Sequence, residues 1–128
     1  MIRAATTLSV ALLAILPALF AETRAESDVD IAAGEALYER CQGCHSIDRN
    51  RIGPMHRGLF GRTAGTLEGF EYSEAMRNSG IVWDEATLDA FLEAPRNYVP
   101  GTKMTYAGVK DAQERRDLIA YLRQASAP

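Results

Sequence analysis

Five residues, Cys41, Gln42, Gly43, Cys44 and His45, constrain this chain more than any other stretch. They hold both cysteines and one of the two histidines among 128 residues. A redox dithiol of the thioredoxin kind sits after a strand in an alternating strand–helix pattern, and this pair follows a helical pattern instead. A structural zinc site needs four ligands, and His56 is the only candidate outside the motif; His45, adjacent to Cys44, also has poor geometry for the same tetrahedral ion. A disulfide across two residues would close too short a loop to staple a fold.

The remaining chemistry is the attachment of a c-type haem. Two thiols three apart can each form a thioether with one vinyl group of a porphyrin, and the next imidazole is then held under the iron. The rest of the chain agrees. Spacing of apolar residues predicts helices over residues 30–41, 84–95 and 111–125, with a short turn of helix over 73–78. Asp30, Asp84 and Asp111 stand as N-caps, with Glu114 three residues after Asp111, and Pro95 reads as a stop. Strand alternation is not evident, so the expected fold is all-α. Between these helices run long irregular stretches, one with Gly53, Gly58, Gly61, Gly65 and Gly69, the other over residues 96–110. Loops of that length inside a small domain need something large to organise them.

The first 25 residues read separately. Arg3 precedes an apolar run of about 17 residues to Phe20, and small residues follow, the order of a secretory signal peptide. Cleavage is expected after Ala21 or Ala25, leaving a single domain from about residue 26 to 128. The alternative is an uncleaved anchor, but the run is at the short limit for crossing a bilayer and contains Pro17. Export suits covalent haem, which is attached after export, and points to the periplasm. Either cut leaves four more acidic than basic residues, 17 against 13 or 16 against 12. That balance argues against non-specific nucleic-acid binding.

A haem iron held by His45 takes its function from the sixth ligand. Met55 lies only ten residues after His45, and Met76 falls in a helical turn where core packing is its expected role. Met104 follows Pro100 and Gly101 in an irregular loop, late enough for the chain to have wrapped the haem, and is the expected ligand.

In order, "CQGCH", "IGPMHRGLFGRTAG", "GFEYS", "GIVWDEATLDAFLEAP", "YVPGTKM" and "DLIAYL" resemble the blocks of class I cytochromes c, the mitochondrial-like group, over residues 28–125. The resemblance implies the class I cytochrome c fold: terminal helices crossing, and loops wrapped around one haem c attached through Cys41 and Cys44. It implies His45 and Met104 as axial ligands, Pro54 as the carbonyl holding the His45 ring, and Arg62, Tyr72 and Trp83 around the haem propionates. Gly34 and Tyr38 would meet Leu118 and Tyr121 at the helix crossing. Implied with them is an electron carrier, not an enzyme: a soluble monomer passing single electrons between respiratory or photosynthetic complexes or periplasmic dehydrogenases and their acceptors. Phe91 departs from the family, which usually carries a tyrosine near the methionine sulfur, and the loop from His45 to Pro54 is shorter. That missing hydroxyl favours the rival reading, a peroxidase or gas sensor whose Met104 dissociates. His56 replaces what is often an apolar residue; the expectation is a partly exposed histidine of no special role, with a substitute sixth ligand under alkaline or denaturing conditions as the second reading. Arg51, Arg57, Arg96 and Lys103 are solvated surface charges by default, or a basic rim steering acidic redox partners.

Overall fold

The computed structural model describes residues 28–128; the expected signal peptide lies outside the described residues. Five helices follow in order: α1 (Ile31–Tyr38), α2 (Glu74–Arg77), α3 (Glu85–Glu93), α4 (Pro95–Tyr98) and α5 (Ala112–Ala125). Among the described residues no β-strand forms, only an isolated antiparallel bridge between Thr63 and Val82. The all-α expectation holds.

Short polar residues start the helices because their side chains accept the free backbone N–H groups of the first turn. Asp30 accepts from Ala33 N at 2.9 Å, Ser73 from Met76 N at 3.0 Å, and Asp111 from Gln113 and Glu114. Asp84 and Thr87 exchange bonds in a reciprocal cap on α3. Expected α1 ends three residues early, because the chain tightens into turns that deliver Cys41 and Cys44. Pro95 ends α3 but also opens α4, at the start of a stretch the sequence predicts to be irregular. Proline is tolerated at a first helical position, where its missing N–H has no partner to lose.

α1 crosses α5, and α3 packs beside it. The crossing is tied by Asp30 N, which donates to Asp117 Oδ1 at 3.0 Å. Leu37, Tyr38, Leu118, Ile119 and Leu122 are buried around it. Each such apolar side chain contributes roughly 1.5–3 kcal/mol on leaving water. The inner ends of these helices do not close the core; they form one wall of a cleft.

Candidate haem site

The turn after α1 builds the first part of the site. His45 N donates to Cys41 O at 2.8 Å and Cys44 N to the same oxygen at 3.0 Å, so the two thiols and the imidazole share one tight turn. Both thiols are free, Cys41 partly buried and Cys44 exposed, and both line the cleft. The chain then doubles back. Gly53 N bonds to Cys44 O at 2.8 Å, and His56 N to Ser46 O at 3.0 Å.

That return places Pro54 O 2.8 Å from His45 Nδ1. A carbonyl only accepts, so the proton of His45 sits on Nδ1, and Nε2 keeps its lone pair. Burial pushes the His45 pKa down, against a smaller upward pull from the Pro54 bond, and so favours the neutral ring that ligates a metal.

The cleft has about 260 Å³ of free interior and a mostly apolar wall. Met104 faces it from the loop beyond α4, together with Phe91, Tyr106, Leu59 and Leu88. Arg62, Tyr72 and Trp83 line it as well. Arg62 donates to Met55 O at 3.0 Å and Arg57 O at 3.2 Å, and it forms no salt bridge among the described residues. Burial lowers the Arg62 pKa and raises that of Tyr72. A partly buried cation with only carbonyl partners is a place for a carboxylate.

These residues fit a haem on their own chemistry. A flat apolar slot carries two unpaired thiols and a histidine with its outer nitrogen free. A thioether faces the slot too, and a cation without a counter-charge stands beside it.

Two expectations change. His56 stacks on His45, with centroids 4.3 Å apart and planes inclined by 21°. In this fold it therefore lies against the first axial candidate; the second reading, a substitute ligand under alkaline or denaturing conditions, concerns a rearranged chain. His56 is also not without contacts, since its Nδ1 lies 3.0 Å from Tyr38 Oη. Burial pushes its pKa down to about 3, with smaller contributions from His45 and Arg62. Of the four rim candidates only Lys103 lines the cleft. Arg57 pairs with Asp48 at 2.5 Å and donates to the backbone carbonyl of Ala127 at 2.6 Å, and it does not line the cleft. Arg51 bonds to the carbonyl of Gln42, and Arg96 is exposed and does not line the cleft. Arg40 and Ile52 line the cleft and went unnoticed in the sequence, where neither carries a pattern.

Fold and site together define a small helical protein built around a covalent haem. The sequence matches the cytochrome c family over residues 31–126, and the chain belongs to that family. It is 50% identical over 101 residues to cytochrome c2 of Blastochloris viridis, covering 77% of this chain and 80% of the relative. It is 45% identical over 101 residues to cytochrome c of Gibberella zeae, covering 76% and 95%. Among solved structures, cytochrome cH from Methylobacterium extorquens superposes with a TM-score of 0.72 at 41% identity, covering 74% of this chain and 98% of the other. The protein is thus a class I cytochrome c, an electron carrier and not an enzyme, with one haem c bound through Cys41 and Cys44.

Proposed function

We propose that the protein is a periplasmic carrier of single electrons between membrane complexes or periplasmic dehydrogenases and their acceptors, with His45 and Met104 as the two axial ligands. The observation that carries the ligand assignment is the free Nε2 of His45, set by the Pro54 bond, in the cleft that Met104 also lines. The haem supplies an iron that changes by one charge.

The chain's part is to keep the iron's surroundings fixed while that charge changes. Pro54 holds the His45 ring from behind. The Met104 loop is held at several points: Lys103 Nζ donates to Glu71 O at 2.9 Å, Met104 N to Thr102 Oγ1 at 3.3 Å, and Thr102 N to Val99 O at 3.0 Å. Arg62, Tyr72 and Trp83 would receive the propionates, with Trp83 buried and Arg62 and Tyr72 half-buried. Exposed Lys103 and Arg40 flank the opening and supply its positive charge, which draws acidic partners into weak, brief encounters. The apolar run over residues 4–20 supports export and cleavage.

Visible spectra of the purified protein, oxidised and reduced, before and after carbon monoxide, test this reading. A weak long-wavelength sulfur–iron band in the oxidised form, with no response to the gas, is expected. Loss of that band with a carbon monoxide shift would remove Met104 from the iron and favour the peroxidase or sensor.

A further inference from the structure

His56 has two specific contacts in a mostly apolar wall. Its ring stacks on His45, and its Nδ1 meets the Tyr38 hydroxyl at 3.0 Å. Were Nδ1 the donor, the phenolic proton would have no acceptor among the described residues; the phenol, the stronger acid, donates instead. Tyr38 is itself packed on all sides. It is the last residue of α1, 2% exposed, with its ring 5.4 Å from that of Tyr121 on α5.

We infer that Tyr38 and His56 are positioning residues that set the plane of the His45 imidazole at the iron. The Pro54 bond alone sets that plane only softly, because a carbonyl oxygen accepts over a broad range of angles and leaves the ring some freedom to turn. A stacked neighbour resists that turning, because rotation breaks contact over the whole ring face. Gly53 completes the seat: a Cβ there would lie 2.3 Å from His45 Cε1 and 2.7 Å from both ring nitrogens. Orientation thus passes from the α1–α5 crossing through Tyr38 to His56 and so to His45. The inference rests on His45 being the axial ligand. The plane of an axial imidazole splits the iron d orbitals, so it is read directly from the g-values of the ferric state.

The test compares the haem-loaded wild type with His56→Leu, Tyr38→Phe and the double variant, by electron paramagnetic resonance and redox titration. All four should keep the sulfur–iron band. The g-values should move in the same direction in both single variants, more in His56→Leu, with a matching shift in reduction potential. The double variant should move no further than His56→Leu, since Tyr38 acts through His56. Unchanged g-values with only a lower melting temperature would reduce the pair to packing and overturn the inference. A shift in Tyr38→Phe without one in His56→Leu would overturn it too. If a single variant fails to fold, the double variant, an all-apolar pair, supplies the comparison. A wild type lacking the low-spin ferric signal would instead refute the ligand assignment beneath it.

Discussion

Gly34 of α1 lies against the backbone of Asp117 of α5 so closely that a Cβ on it would sit 2.1 Å from the Asp117 carbonyl oxygen. The obstacle is backbone, and a side chain cannot swing aside to relieve it. Gly34→Ala must push the two helices apart, and overpacking of this kind costs about 3 kcal/mol. The cost should appear as a lower midpoint in urea at unchanged slope. A change below about 0.5 kcal/mol would mean the crossing yields freely.

Asp111 caps α5 by accepting from Glu114 N at 2.9 Å and Gln113 N at 2.8 Å. The Glu114 bond, and less so the Gln113 bond and nearby arginines, lower its carboxyl pKa below the ordinary 3.8. A group whose folded pKa is depressed binds its proton more readily in the unfolded chain. Its stabilisation is complete above about pH 3.8 and is lost as pH falls through the lower folded value. Asn at this position still caps but does not titrate. Asp111→Asn should therefore flatten part of the loss of melting temperature on acidification between neutral pH and about pH 2. An acid limb as steep as in the wild type would show that the cap does not titrate with folding.

Much of this architecture is legible in the sequence because caps and periodicity are local. Asp30, Ser73, Asp84 and Asp111 each start a helix where the pattern places one. The haem site was legible for a different reason: Cys41, Cys44 and His45 must be near neighbours for their chemistry, so their spacing survives in the chain. His56 was not. What brings it to His45 is the pairing of His56 N with Ser46 O and of Arg57 N with Ile47 O, across a loop with no periodic signal. The bonds of Arg57 to Asp48 and to Ala127 O were hidden for the same reason, since neither partner is marked by a periodic pattern. The helix over Pro95–Tyr98 was hidden by reading proline only as a terminator.

Arg115 joins three pieces of the chain. Its Nε lies 2.7 Å from Asp89 Oδ1 on α3, and its Nη1 donates to Val109 O and Lys110 O, each at 3.0 Å. Val109 N in turn bonds to Leu92 O at 2.8 Å, anchoring the far end of the segment that carries Met104. A lysine keeps the charge but lacks the rigid fork that reaches three acceptors at once. Arg115→Lys should cost about 1–3 kcal/mol, from acceptors left without donors. Amide exchange at Val109 should accelerate more than at Leu118 in the α5 core. Equal acceleration at both sites would show that Arg115 supports the fold as a whole and not this segment.

Leu59, Leu88, Leu92, Leu118 and Leu122 are all buried, yet all of them line the haem cleft. Their core is finished on one side by a group the chain does not encode. Without it, these side chains line an unfilled cavity, and an unfilled core destabilises in proportion to the volume left empty. A domain of this size has a net stability of only about 5–15 kcal/mol, so a void of this kind takes a large share of it. Thioether attachment through Cys41 and Cys44 keeps the haem from leaving, which makes folding and attachment one event. The double variant Cys41→Ala/Cys44→Ala, purified free of haem, should therefore show a weak helical signal by circular dichroism. It should also melt in urea without a cooperative transition. A sharp transition with the slope of the haem-bearing protein would show that α1, α3 and α5 close on themselves, and that the cleft is a preformed slot and not an unfinished core.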